Sequence, residues 1–396
     1  MYDSDIIIVG AGPAGLSAAA RARRIRTYNL IPASVMVISN YSPGGISDWT
    51  DVRMTGDGWM FEKGKVRDSL MKDMKDYSIP LKNEKVLSVE KKDDLFKVTT
   101  DKEEYWSLSV IIATGMRMTW NEREHFGDKL FGTLKGYRFM EDHFEKLCEE
   151  EKGKTIIFVG THEIKKTLEF FEDINQGRMD VKRVLDEGKN IRKYETFEED
   201  GKEKIKVITK NDEIVGDHIN IDFESYQLSA STTDIIDCEK DENGFIKTDR
   251  RGKIDKGLYA AGDVTGTPFS LAKAVGEGTT TGLESYRYVF KKKFGAEAPV
   301  FAFYPIHKDG EPTYFEIPDL KESYRPKLLG SYEQSGEKIV FRECEMEFEK
   351  DILQLLKLLD GEHTLGEIKE SCEKPEEDIE KVIEELIDAK DLTLEV

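Results

Sequence analysis

The chain has 396 residues, enough for two or three domains with separate cores. Its formal net charge is −20, and 35% of residues are charged beside 38% hydrophobic, which argues against nucleic acid as a general partner because a negative surface repels phosphate. No apolar run approaches the roughly 20 residues of a membrane span and no basic leader precedes the first strand, so the expectation is a cytoplasmic protein with no membrane partner. The four cysteines (Cys148, Cys238, Cys344, Cys372) form no C-x-x-C and the six histidines are scattered, so no contiguous dithiol and no metal site is expected.

The first element is an apolar strand over residues 6–9. It runs into Gly10, Ala11, Gly12, Pro13, Ala14 and Gly15, a G-x-G-x-x-G turn that opens an Ala-rich helix. The spacing is mechanical: the first glycine makes the tight turn, the second admits a pyrophosphate against the backbone, and the third lets helix and strand pack closely. The helix start then offers unpaired N–H groups and a positive dipole end to that anion. A basic tail, Arg21, Arg23, Arg24 and Arg26, reads as a solvated helix end.

A second strand over 35–38 ends in Ser39 and Asn40, where a Rossmann unit usually carries a ribose-binding carboxylate. A hydroxyl or amide makes the same bond more weakly. Pro43, Gly44 and Gly45 form a close-approach turn, and Trp49, Gly56, Gly58 and Trp59 lie in an irregular stretch expected to cover part of the site. A helix over 65–74 and a hairpin over 84–90 and 96–100 precede VIIATG, residues 110–115, a strand ending at Ala113, Thr114 and Gly115. The second specific stretch is GLYAAGDVTGTPFSLAKAVGEGTTTG, residues 257–282: a short strand delivers Gly262 and Asp263, whose carboxylate is placed to accept a hydroxyl.

GAGPAG, PGG, ATG and GLYAAGD, in that order over residues 1–295, resemble the thioredoxin-reductase-like branch of the FAD-dependent pyridine nucleotide-disulfide oxidoreductases. The resemblance implies FAD bound by the N-terminal segment and residues 243–295, with a nucleotide domain inserted between them and a homodimeric assembly. Asp263 would meet the ribityl or pyrophosphate part and Ala272 the isoalloxazine edge. Where relatives often read Q-x-A, this chain has Ser270, Leu271 and Ala272, which removes one polar contact.

The inserted domain departs from that pattern. After a strand over 155–159 its turn reads Gly160, Thr161, His162, Glu163, with bulk and negative charge where a pyrophosphate would sit. No continuous apolar strand follows between 171 and 193, so the βαβ unit reads as shortened and NAD(P)H binding in the usual place as doubtful. Arg178, Lys182, Arg183 and Arg192 are read as a solvated helix face. The dithiol of relatives is missing. In its region Cys148 is the one thiol available for catalysis, and Glu149, Glu150 and Glu151 disfavour its thiolate.

Five of the chain's eleven prolines, Pro299, Pro305, Pro312, Pro318 and Pro326, mark residues 296–330 as an extended connector. Beyond it come strands over 338–341 and 345–348, then a helical stripe of Ile352, Leu355, Leu356 and Leu359. A capping box at Thr364 to Glu367 starts a second helix. A third carries Ile379, Val382, Ile383, Leu386 and Ile387, and a last strand covers 392–396. This order is similar to the PqqD-like winged-helix modules and implies recognition of an extended peptide or protein substrate through residues 331–396. A structural or dimerising role stays open. The expected fold class is therefore α/β: two Rossmann-like dinucleotide-binding domains, the second inserted and shortened, plus a small α+β winged-helix domain. The boundaries are 1–116, 117–242, 243–295, 296–330 and 331–396. The functional expectation is a FAD-dependent oxidoreductase acting on a peptide or thiol substrate. Alternatives are a NAD(P)H-dependent flavin reductase with an altered nucleotide site and a non-catalytic flavin sensor or scaffold.

Overall fold

The structure is a computed structural model; it describes residues 2–24, 30–40, 42–48, 52–54, 60–62, 64–115, 130–133, 141–161, 164–186, 190–222, 234–242, 244–266, 268–298, 319–341 and 347–396. Two compact units emerge. One is made of Met1–Gly115, Thr232–Asp241 and Phe245–Val396, the other of Met116–Ser231 with Glu242–Gly244.

The first unit is built on β1 (Ser4–Val9), which is flanked in parallel by β2 (Val35–Ile38) and by a later long strand. Helix α1 (Pro13–Arg23) crosses from β1 to β2. A two-residue pair, β3 (Val52–Arg53) and β4 (Met60–Phe61), and helix α2 (Lys65–Asp76) come next. Then follow β5 (Leu81–Lys82), the hairpin β6 (Val86–Lys92) and β7 (Leu95–Thr100), and the long strand β8 (Glu104–Ile112). β8 pairs antiparallel with β7 along its first half and parallel with β1 and later chain along its second. Its apolar run, expected at 110–115, thus begins six residues earlier as a paired strand.

The second unit has a four-stranded parallel sheet of β9 (Leu130–Thr133), β10 (Thr155–Gly160), β11 (Asp180–Leu185) and β15 (His218–Asp222), in the order β11-β10-β15-β9. Helices α3 (Glu141–Glu150) and α4 (Lys165–Asn175) cover it. Strands β12 (Ile191–Glu199), β13 (Lys202–Thr209) and β14 (Glu213–Gly216) form a separate antiparallel sheet. β11 corrects the sequence reading. DVKRVL is a strand after all, pairing in parallel with β10 on the far side of α4, as in a βαβ unit. Its side chains are mostly exposed, with Val184 buried, so it lacks the continuous apolar run of a fully covered parallel strand.

The chain returns to the first unit with β16 (Lys253–Asp255), β17 (Leu258–Ala260) and helix α5 (Leu271–Phe294), completing the strand order β16-β17-β8-β1-β2-β5. α5 lies directly on α1. A methyl at Gly278 or Gly282 would fall 2.2 and 2.4 Å from the carbonyl oxygens of Ala14 and Ala18, so only glycine permits that approach. The remaining elements are β18 (Arg325–Leu328), β19 (Tyr332–Ser335), β20 (Lys338–Phe341), β21 (Glu347–Glu349), α6 (Leu353–Leu358), α7 (Leu365–Ser371), α8 (Glu376–Asp388) and β22 (Leu392–Glu395). The Thr364–Glu367 capping box is present, and Leu355, Leu356, Ile379, Ile383 and Leu386 are buried.

These C-terminal elements do not form a core of their own. Leu355, Ile368, Ile383 and Leu394 share one apolar cluster with Ala18, Ala22, Leu30, Ile31, Tyr286 and Phe290. Where the sequence suggests a connector at 296–330, Arg325–Leu328 pairs with β22 along four residues, Pro326 included. Pro299, Pro305, Pro312 and Pro318 lie outside the described residues. The seam is polar as well as apolar. Lys293 Nζ sits 2.9 Å from both carboxylate oxygens of Asp5, with both side chains almost fully buried (3% and 0% exposed). Thr393 Oγ1 donates to the Pro32 carbonyl at 2.6 Å, Lys327 bridges Glu395 and the Asp3 carbonyl, and Lys390 Nζ donates to the Leu30 carbonyl at 2.6 Å. Asp5, Leu30 and Pro32 all lie where β1 and β2 begin.

Candidate functional site

The crossover from β1 to β2 leaves β1 on one side and β8 lies on the other, so the carboxyl ends of β1 and β8 define a topological switch point. Open α/β sheets take ligands there. Backbone bonds gather the sequence motifs at this edge. Gly10 N donates to Ile38 O at 2.9 Å, Ala113 N to Val9 O at 2.8 Å, Ala261 N to Ile112 O at 3.0 Å and Gly44 N to Ala11 O at 2.8 Å. The turns carrying Gly10 to Gly15, Ser39 and Asn40, Gly44 and Gly45, Ala113 to Gly115, and Gly262 and Asp263 therefore stand side by side although some 250 residues separate the first from the last. Ala272 lies in the first turn of α5, half-buried.

Within the glycine turn the three positions differ. Gly10 has φ +110°, and a methyl there would lie 2.3 Å from the Ala113 carbonyl oxygen, so the residue is fixed by the fold. Gly15 is equally closed, 2.0 Å from the Gly10 carbonyl oxygen. Gly12 is the N-cap of α1, with Pro13 just inside the helix, and a methyl there meets nothing within 4 Å. An open position at a helix N-cap, beside two positions packed shut, suits a ligand approaching the backbone. Pro13 starts the helix at no cost, since its missing N–H would be unpaired anyway.

Two polar atoms close the other side. Asp263 Oδ1 and Thr114 Oγ1 are shut off from solvent and have no hydrogen-bond partner among the described residues. Burial pushes the Asp263 carboxyl up to about 6; Lys273 opposes the shift and Glu277 adds to it. Unpaired buried acceptors are costly, so such atoms mark a place where a ligand donor completes the set. The residues fit the adenine-dinucleotide-type cofactor that the motifs imply, with an anion at Gly12 and hydroxyls at Asp263. A pyrophosphate at Asp263 itself is disfavoured because the nearby Gly262 N–H is already taken, donating to Glu277 Oε2 at 2.8 Å.

Sequence reasoning missed Lys273 and Glu277, for which an i,i+4 spacing on α5 was the one available signal. Ser270, in the Q-x-A position, serves as the N-cap of α5 and accepts from Lys273 N at 3.2 Å. Ser39 is buried at the end of β2 and Asn40 is half-exposed beside it. Trp49, Trp59, Gly56 and Gly58 lie outside the described residues. Arg23, read as part of a solvated tail, is buried at 2% exposure, because that end of α1 packs under the C-terminal elements.

Cys148 is withdrawn as a catalytic thiol. It is fully buried in an apolar cluster with Phe144, Phe158 and Phe171, and its Sγ faces Asn175 Oδ1 at 3.6 Å. Burial pushes the thiol's pKa up, with Arg178 opposing it. The cause is the core packing and not the flanking glutamates. In the second unit's turn His162 and Glu163 lie outside the described residues. At the carboxyl end of β11, however, Asp186 N donates to Gly160 O at 2.9 Å, so an acidic residue follows β11 next to the first glycine of that βαβ unit, with its Oδ1 accepting from Ile191 N at 2.8 Å. Among the described residues no group of acidic, histidine and cysteine side chains has the arrangement of a metal site, and no helix is long and apolar enough to cross a membrane.

Residues 4–161 match the family described as pyridine nucleotide-disulphide oxidoreductase. Among curated proteins the chain is 26% identical over 318 residues to an NADH dehydrogenase of Ferdinandcohnia aciditolerans, covering 74% of this chain and 59% of the relative. It is 25% identical over 288 residues to the thioredoxin reductase of Treponema pallidum, covering 67% and 91%. The chain thus spans about three-fifths of the length of the NADH dehydrogenase it matches. A solved thioredoxin reductase of Lactococcus lactis aligns over 73% of this chain and 100% of its own, at 19% identity and a TM-score of 0.47. That family match ends at residue 161 and so takes in the glycine turn at Gly10 to Gly15 and the strand end at Ala113 to Gly115 but not Gly262 and Asp263.

Proposed function

We propose that the protein is a FAD-dependent oxidoreductase that acts on a peptide or thiol-containing substrate. The observation that carries the flavin is the pairing of an open Gly12 at a helix N-cap with the sealed, unpartnered Asp263 Oδ1, both at one switch point. FAD would supply the two-electron chemistry; the protein's part is to hold it and keep water away. Gly12 and the start of α1 would bind the pyrophosphate, and Asp263 would accept a ribityl hydroxyl. Asn40 or Ser39 would meet the adenosine ribose, with Gly44, Gly45, Thr114, Gly115 and Ala272 lining the ring end.

Peptide capture would fall to the sheet β19-β20-β21 and the helices beside it. Their seam with the parallel sheet lies at the amino ends of β1 and β2, whereas the glycine turns lie at the carboxyl ends. β1 is six residues long, about 20 Å at 3.3 Å per residue. A captured substrate therefore reaches the flavin of its own chain by extending past the length of that strand. The test is anaerobic mixing of the reconstituted flavoprotein with thiol peptides of increasing length. Bleaching of the flavin that needs the longer peptides supports the reading, and no bleaching by any thiol overturns it.

A second reading, reduction by NADH, is favoured by the β10-α4-β11 unit with Asp186 at its ribose-reading end. A carboxylate there accepts a ribose 2′-hydroxyl and repels a 2′-phosphate. Stopped-flow bleaching by NADH and not by NADPH is its signature.

A further inference from the structure

Lys273 reaches back from the first turn of α5 to the turn that presents Asp263. Its Nζ lies 3.0 Å from Gly262 O, 2.7 Å from Thr265 Oγ1 and 2.7 Å from Gly266 O, so its three N–H donors are matched by three acceptors of a single turn. Its side chain is 12% exposed. Glu277, one helical turn on, completes the grip: its Oε2 accepts from Gly262 N at 2.8 Å and from Thr265 Oγ1 at 2.9 Å, and lies 3.4 Å from the Lys273 ammonium. A charged pair thus braces five residues of backbone against the helix. This bracing is more than a surface turn needs, since the turn is already fixed by Ala261 N to Ile112 O and Ile246 N to Val264 O.

We propose that Lys273 is a positioning residue of the flavin site. Its ammonium holds the Gly262–Gly266 turn and sets a positive charge beside Asp263, the acceptor for a cofactor hydroxyl. The inference rests on the FAD reading above. Lys273 and Glu277, both on α5, are the charged groups that act on Asp263. Among the described residues the other elements packed on this turn present apolar groups: Ala14 of α1 faces Gly262, and Phe245 faces Gly266. The two charges pull in opposite directions, as Lys273 lowers the Asp263 pKa and Glu277 raises it around a value near 6.

The opposition gives the test its sign. Apoprotein is titrated with FAD from pH 5 to 9, following the quenching of flavin fluorescence. In the unsubstituted protein the affinity should rise with pH through about 6 as Asp263 ionises. Lys273→Met should move that midpoint upward by about a unit, weakening binding about threefold near pH 6.5 and about tenfold at pH 5 while approaching the original affinity at pH 9. Glu277→Gln, which keeps an acceptor for Gly262 N, should move the midpoint down. Lys273→Arg should restore the original profile, and Asp263→Asn should abolish the pH dependence. A Lys273→Met defect equal at every pH, or no defect, overturns the inference. If the unsubstituted protein binds no FAD at any pH, the flavin reading itself falls.

Discussion

Removing the ammonium from the Lys293–Asp5 pair tests whether a buried ion pair locks the end of α5 onto the start of β1, beneath the C-terminal elements. Asp5 accepts from Lys293 Nζ at 2.9 Å on each oxygen, from Ser34 N at 2.8 Å and from Tyr2 OH at 2.9 Å. Lys293→Met keeps the volume and leaves a fully buried carboxylate with only neutral donors. Breaking such a pair by removing one partner costs about 3–5 kcal/mol, because the remaining charge is uncompensated. At roughly 2–4 °C per kcal/mol for a unit of this size, the melting transition should fall by on the order of 10 °C. Asp5→Asn with Lys293→Met removes both charges and keeps the amide acceptor for Ser34 N, so the double variant should regain most of the loss. Calorimetry and urea denaturation of the four proteins close the cycle. A single variant within about 1 kcal/mol of the original, or a double variant no better than the single, would refute the reasoning.

Lys390 is pulled down to about 8 by burial, with Arg23 adding to the effect and Asp388 opposing it. Its charged form is disfavoured in the fold, so its contribution is fully present above its unfolded value and is lost as pH falls through about 8. Lys390→Met should therefore flatten the stability profile between pH 8 and 10, as read by thermal melts across that range. Gly12→Ala should leave the apoprotein's melting point within a degree or two while weakening FAD binding. Gly15→Ala, whose methyl would meet the Gly10 carbonyl oxygen at 2.0 Å, should instead destabilise the fold itself. If NADH bleaches the flavin, Asp186→Ala should raise the NADH concentration needed about tenfold and narrow the preference over NADPH. Cys148→Ser should leave substrate turnover unchanged while lowering stability by about 1 kcal/mol, since a smaller, more polar group replaces sulfur among phenylalanines and keeps Asn175 Oδ1 as its one acceptor.

Much of the site was legible because dinucleotide turns need glycine at fixed spacing: Gly10, Gly12, Gly15, Gly115 and Gly262 can be read without a structure. Periodicity likewise marked the helix of Leu355 and Leu356 and the capping box at Thr364. Three features were not legible. β11 is a strand of mostly exposed side chains, so its backbone pairing leaves no apolar run to find. Cys148 was judged by its chain neighbours, whereas the helix turns Glu149 and Glu150 outward and the thiol inward. Lys293 and Asp5 are 288 residues apart, and nothing local to either charge announces that both are buried.

That separation sets an order of events during synthesis. Asp5 emerges first and waits while the chain through Lys293 is made, about 15–60 s at ordinary rates of elongation. Thr393, whose hydroxyl sits at 3.4 Å from the same ammonium, follows another 100 residues later. Until then β1 and β2 can pair, but their starting ends stay uncovered, with Leu30 and Ile31 lacking the partners that will bury them. The nascent first unit is an open, sticky intermediate over that interval. Its burial is completed only by elements made some 100 residues after Lys293, so the apolar ends of β1 and β2 stay open over that interval.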